Sequence, residues 1–166
     1  MPNAQDVPRE LSGLELLRSW IEARRRPPMA ETLDVNLVEV DTGRAVFAGT
    51  PGAMHYNPLG VVHGGYAATL LDSACGCAVH ASLTGEQAYT TLELKVAFHR
   101  AMTSDTGPVR AEGKVVSIGR RVAFAEGRIT DASGRLYATG TSTLLVFERN
   151  ASRPRPPDPV APTPGR

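Results

Sequence analysis

The sequence is short of cysteine, of unbalanced charge and of long apolar runs, and each shortage closes off a class of protein. Two cysteines, Cys75 and Cys77, in 166 residues cannot build a disulfide framework, so a reducing compartment and a cytoplasmic protein are expected. Lys and Arg number 18 against 17 Asp and Glu. A general nucleic-acid binder carries a basic surplus, so nucleic acid is not an expected partner. No 18-residue stretch is free of charged and polar groups, so no membrane span is expected. Met1 to Arg9 also lacks the apolar core of a secretory leader. What is present suits one domain, with 42% hydrophobic and 21% charged residues in a chain long enough to bury roughly 70% of its unfolded surface.

Proline draws the expected boundaries. It is absent between Pro58 and Pro108 and between Pro108 and Pro154, but six prolines lie from Pro154 to Pro164. Residues 1–29 form an N-terminal segment with one helix, 30–149 a folded domain, and 150–166 a Pro-rich disordered tail; Met1 to Pro8 is expected to be loose. Ser12 to Arg26 reads as a helix: Ser12 and Glu15 make a capping box, Leu14, Leu17 and Ile21 an apolar stripe, and Pro27-Pro28 stops it. Thr32 to Val40 and Arg44 to Thr50 read as strands around Asp41-Thr42-Gly43, followed by a loop over Pro51 to Gly60. From His63 to Leu83 the chain is apolar on nearly all sides and rich in Ala, Gly and Ser, the pattern of a buried helix against a sheet. Thr91 to His99, Val109 to Val115, Val122 to Thr130 and Leu136 to Phe147 alternate as strands, with turns at Ser117-Ile118-Gly119 and Asp131-Ala132-Ser133-Gly134. In the first, Leu92, Leu94, Val96 and Phe98 share one face. These runs predict an α+β fold, an antiparallel sheet curled around one helix.

Asp72 is the most informative residue. An acid inside an apolar helix is expensive unless it is paired or used, and no Lys or Arg lies three or four residues away. It either bonds Ser73, Thr69 or a loop amide, or acts as a general base or nucleophile. His63-Gly64-Gly65 opens the same helix. Free N–H groups there, with the helix dipole, polarise a carbonyl or bind an anion; the plainer reading is a loop-to-helix turn, with His63 bonding the loop. Asn57-Pro58 is either a turn initiator or a catalytic amide. Arg120-Arg121 after Gly119, and Arg100, are either solvated charges or a cradle for the phosphates of a large ligand. Cys75 and Cys77 point to different helix faces and no His or carboxylate spacing completes a metal site, so no metal is expected. His55, His80 and His99 are singletons with no triad pattern.

Taken together, NPLGVVHGGYAATLLDSACGCAVHASL, YTTLELKVAFHRA and VVSIGRRVAFAEGRITDASGRLYATGTSTLLVF resemble the hotdog-fold thioesterases. The resemblance is to their PaaI-type acyl-CoA branch, linked to phenylacetate degradation, and covers residues 30–148. Its specific part is HGG followed by an acid nine residues after the His; the 4-hydroxybenzoyl-CoA thioesterases of the same fold carry Glu there. The resemblance implies a curved sheet wrapping the long helix, and a homodimer or homotetramer with active sites between subunits. It implies Asp72 as catalytic acid, Gly64 as the N–H that polarises the thioester carbonyl, with His63 beside it, and Asn57 orienting substrate or water. Thr91 or its neighbour Thr90 matches a Ser/Thr position. Gly65, Arg100, Gly119, Arg120 and Arg121 are the implied substrate and coenzyme A contacts. No cofactor is implied, the acyl-CoA or aryl-CoA being the substrate. The chemistry agrees: a thiol with a pKa near ~8.5 leaves with little protonation, so one carboxylate and one oxyanion donor serve. The rival reading is a non-catalytic acyl-CoA-binding or regulatory protein of this fold, against which the buried acid argues; a hydratase of the fold would carry a different His/Asp pattern.

Overall fold

Small side chains decide how the two layers of this fold meet. The computed structural model describes residues 10–149, so the expectations for Met1 to Pro8 and for the Pro-rich tail fall outside the described residues. Helices α1 (Gly13–Glu22) and α2 (Pro28–Thr32) precede strands β1 (Val35–Asp41) and β2 (Arg44–Gly49); the long α3 (Gly64–His80) follows, then β3 (Gln87–Phe98), β4 (Val109–Ile118), β5 (Val122–Asp131) and β6 (Leu136–Glu148). The strands form one antiparallel sheet in the order β1-β2-β4-β5-β6-β3. Helix α3 lies over β4, with β2 and β5 on either side. This is the α+β arrangement the sequence predicts. No described helix is long and apolar enough to cross a membrane.

The central strands β4, β5 and β6 alternate over most of their length, β4 as far as its bulge between Val115 and Ser117. On β4, Val109, Ala111 and Gly113 face α3 while Arg110 and Lys114 face out. The outward residues build an ion-pair network: Glu112 takes Arg44 at 2.7 Å and Lys114 and Arg128 at 3.4 Å. On α3, Leu70, Leu71, Ala74, Cys75, Ala78 and Val79 have no solvent exposure; each Leu contributes about 1.5–3 kcal/mol by leaving water. Gly113 lets the helix backbone rest on the sheet. A Cβ there would lie 2.7 Å from the Cys75 nitrogen and closer still to the Ala74 carbonyl. Backbone cannot swing aside like a side chain, so Gly113→Ala is expected to cost about 2–3 kcal/mol and to lower Tm by roughly 5–10 °C, read from a thermal melt. An unchanged Tm would mean that helix and sheet are not in backbone contact.

Several boundaries differ from the sequence reading. The first helix ends at Glu22, because Arg24 takes a left-handed φ of 50° and the Arg25 N–H closes back on the Trp20 carbonyl at 2.8 Å. Pro27-Pro28 then starts α2, with Pro28 at its first position, which delays β1 to Val35. The third strand begins at Gln87 and carries a bulge between Thr91 and Glu93. The bulge puts Leu92 outside at 58% exposure, and Phe98 stands 60% exposed at the strand's end, so neither joins the core. The β4–β5 turn falls at residues 119–121.

The helix is not buried all round. Gly65 is exposed, and Thr69, Asp72, Ser73, Cys77 and His80 are half-buried, marking a stripe that this chain's own sheet leaves uncovered. These residues are small or polar, so they match neither a core nor an ordinary solvated face. Helix α1 instead covers the far end of α3, packing Leu17 against Val40, Ala45, Ala78 and Ala81 and bonding Gly13 N–H to the Leu83 carbonyl at 3.0 Å.

Candidate active site

Asp72 sits halfway along the uncovered stripe. Its partner comes from β3: the Thr91 hydroxyl donates to Asp72 Oδ1 at 2.9 Å. The strand register explains the choice between neighbours. Thr91 is opposite Leu144, which is fully buried, so both face the helix layer, while Thr90 is exposed. The local partners that the sequence offered do not take the carboxylate; the Thr69 hydroxyl bonds the Gly65 carbonyl at 2.9 Å instead. Tyr89, two residues before Thr91, lays its hydroxyl against Gly76, one turn beyond Asp72. Burial first, then Cys77 and Asp72, hold its phenol well above the usual range. Burial and then Asp72 push the Cys77 thiol up to about 12, and burial with Asp72 and Glu126 does so for Cys75. Both thiols stay protonated, which removes them as nucleophiles.

The start of α3 has one open donor. His63 is the N-cap, at φ −61° and ψ 137°, and its Nδ1 accepts the Gly65 N–H at 2.8 Å. Its carbonyl accepts the Tyr66 N–H at 3.0 Å, and its own N–H goes to the His55 carbonyl at 2.7 Å. The Gly64 N–H is thus the first-turn donor with no acceptor among the described residues. A Cβ on Gly64 would meet the Phe98 ring at 2.9 Å, so the glycine also seats that ring beside the free N–H. Gly65 keeps its place in the turn, but its N–H is committed to the His63 ring.

Asn57 organises the loop before the helix. Its Oδ1 accepts the Leu59 and Val61 N–H groups at 2.9 and 3.4 Å, and its N–H bonds the Val61 carbonyl at 2.8 Å. Its oxygen serves the turn, and its amide N–H groups are free among the described residues. The arginines divide into two groups. Arg100 donates to the Leu136 carbonyl at 3.2 Å, and its N–H bonds Tyr137. Arg120 and Arg121 are exposed after Gly119, with the Arg121 carbonyl held by the Val146 N–H at 2.9 Å. Val146 lies nine positions beyond Tyr137 on β6, about 30 Å, so one chain does not bring the two groups together. Phe98 and His55 are the residues that sequence reasoning missed. Phe98 looks like one more apolar residue of an alternating strand, and a singleton His carries no signal. Among the described residues no three His, Cys, Asp or Glu side chains gather as a metal site.

Residues 59–138 match the family model of the Thioesterase superfamily. A 1,4-dihydroxy-2-naphthoyl-CoA hydrolase of Listeria monocytogenes is 27% identical over 121 residues, 73% of this chain and 97% of that protein. A protein named as an esterase in Saccharolobus solfataricus is 33% identical over 117 residues, 69% of this chain and 80% of that protein. The structure of a mutant of the phenylacetic acid degradation protein PaaI from Thermus thermophilus superposes with a TM-score of 0.65 at 28% identity, covering 72% of this chain and 98% of that one.

Proposed function

The chain belongs to the thioesterase superfamily, and from that premise we propose that it hydrolyses an acyl- or aryl-CoA thioester to the free acid and coenzyme A, with Asp72 directing the water and Gly64 N–H holding the oxyanion. The observation that carries this reading is the Thr91–Asp72 hydrogen bond of 2.9 Å on the uncovered face of α3. Thr91 fixes one carboxylate oxygen and leaves Oδ2 to take a proton from water. As water attacks the carbonyl carbon, the carbonyl oxygen becomes an oxyanion, which the Gly64 N–H and the helix dipole stabilise. The C–S bond then breaks, and the thiolate leaves without a general acid. The Asn57 amide N–H groups stand free to orient water or substrate. The reaction needs no metal or redox cofactor, and the two free cysteines, Cys75 and Cys77, suit a reducing cytoplasm.

The same reading requires two subunits. Gly64 and Asp72 are eight residues apart on one helix, about 12 Å at ~1.5 Å per residue, whereas a carbonyl and its attacking water need donor and base each within about 3 Å. A second copy running antiparallel brings its Gly64 beside this Asp72 and makes two equal sites. The surface is suited to it: β3 is a free sheet edge of 12 residues with Leu92 and Phe98 exposed, next to the uncovered stripe of α3.

Thiol release from a panel of acyl- and aryl-CoA esters tests the reaction. Turnover of at least one class is expected; tight binding with no turnover of any would support the binding-protein reading instead. The panel also assigns the exposed arginine pair. Arg120 and Arg121 replaced together by Ala are expected to raise KM for CoA esters roughly 10-fold, as about 1.4 kcal/mol of phosphate contacts is lost, and to spare a truncated thioester that lacks the nucleotide. Equal losses for both substrates would make the pair structural.

A further inference from the structure

The 52–63 loop contains a buried histidine whose ring has no part in the proposed chemistry. The His55 side chain is 7% exposed. Its Nδ1 accepts the Gly52 N–H at 3.1 Å, so the ring proton is on Nε2, and that nitrogen is buried with no partner. The ring packs at a 37° tilt against the Tyr66 ring, in the first turn of α3, with centroids 4.3 Å apart. The His55 carbonyl accepts the N–H of the N-cap His63 at 2.7 Å. Tyr56 and Val62 add a bridge between the two ends of the loop, and Asn57 closes its tip. His55 therefore ties three pieces of chain to one point: the strand exit at Gly52, the cap at His63 and the first turn of the helix.

Stability does not account for this histidine. One backbone bond to Nδ1 is a small net gain, and an unsatisfied buried donor such as Nε2–H costs more than such a bond returns. A phenylalanine would pack against Tyr66 without that cost. What only the histidine supplies, in the same space, is a side-chain acceptor for the Gly52 N–H, which adds to the bond from the His55 N–H to the Gly52 carbonyl at 2.9 Å in fixing the 52–55 turn and through it the His63 cap.

We infer that His55 is a positioning residue for the reaction: it sets where the Gly64 N–H and the Asn57 amide stand, and it never touches the substrate. The inference rests on the proposed roles of Gly64 and Asn57. Three constraints converge on His55, and both residues lie within nine positions of it along the tied loop. Misplacement by about 1 Å at an oxyanion donor is enough to lose up to about 10²-fold in rate.

The test pairs His55→Phe, which keeps the ring contact and loses the acceptor, with His55→Asn, whose Oδ1 stands near the place of Nδ1. His55→Phe is expected to keep or raise Tm, to lower kcat at least about 10-fold with KM within about 2-fold, and to move the Gly64 amide resonance in a ¹H–¹⁵N spectrum. His55→Asn is expected to restore both kcat and the resonance. A His55→Phe protein with wild-type kcat and an unmoved Gly64 resonance would overturn the inference, as would a His55→Asn protein no better than His55→Phe. The ¹⁵N spectrum of the unaltered protein is independent of any variant's folding: it should show His55 as the Nε2–H tautomer, and a proton on Nδ1 would overturn the inference. The amide resonances also separate this inference from the thioesterase reading, since they respond to His55 whether or not any CoA ester is turned over.

Discussion

Replacing Asp72 with Asn is expected to leave the protein folded and to lower kcat by about 10²-fold or more on its best substrate. The amide has almost the volume of the carboxylate, and its Oδ1 can still accept the Thr91 hydroxyl, a bond of 2.9 Å in this structure. The half-buried setting of residue 72 is therefore preserved. What disappears is the second oxygen that takes the proton from water: Asn presents an NH₂ donor there instead. Because the group lost acts only as the water is activated, KM should change little while kcat falls. Steady-state thiol release, with Tm as the control for folding, decides it. Turnover near the unaltered level would remove Asp72 from the mechanism and leave its bond to Thr91 as a purely structural contact.

The second large effect belongs to Gly64. Proline at this position removes the N–H while keeping a helix start: the site is the first residue of α3, where proline is at home, and His63 already has the φ of −61° and ψ of 137° that a residue before proline prefers. Gly64→Pro is expected to cost about 10²-fold or more in kcat, the loss found when one oxyanion donor is removed. A Cβ at residue 64 meets the Phe98 ring at 2.9 Å, so part of any loss could be steric. Gly64→Ala carries the same Cβ against the Phe98 ring and keeps the N–H. The Ala variant should lose far less than the Pro variant. Equal losses in both would assign the glycine to the seat of Phe98 and not to the oxyanion.

The sequence showed the layers more clearly than the edges. The alternation of β4, β5 and β6 was readable because each of these strands has neighbours on both sides and one face against α3, so side-chain polarity follows geometry. The edge strand β3 obeyed no such rule. Its bulge at Leu92 shifts the register by one, and apolar residues on a free edge face solvent in a single chain, so the single face that the alternation gave to Leu92, Leu94, Val96 and Phe98 is broken, with Leu92 and Phe98 exposed. Polarity likewise misled on α3. Ala, Gly and Ser count as buried in a helical pattern, yet Gly65, Thr69, Asp72 and Ser73 line the face that the sheet leaves open. Asp72, Gly64 and His63 stood out because an acid in an apolar helix and two glycines at its start are costly choices. That Thr91 and not Thr90 meets Asp72 depends on a register set by β6 (residues 136–148), which no local pattern encodes. Nor does any local pattern mark His55, whose part is defined by Gly52, His63 and Tyr66 together.

The central claim is that each active site takes its oxyanion donor from one subunit and its carboxylate from the other, and mixing two defective proteins tests it most directly. Gly64→Pro and Asp72→Asn homodimers should each be nearly inactive. After subunit exchange at equal amounts, half the dimers are mixed, and each mixed dimer holds one site with both lesions and one with neither. Recovery of roughly a quarter of the unaltered activity is the result the shared site predicts. Subunit exchange shown by mass, with both parents folded and no recovery of activity, would contradict it.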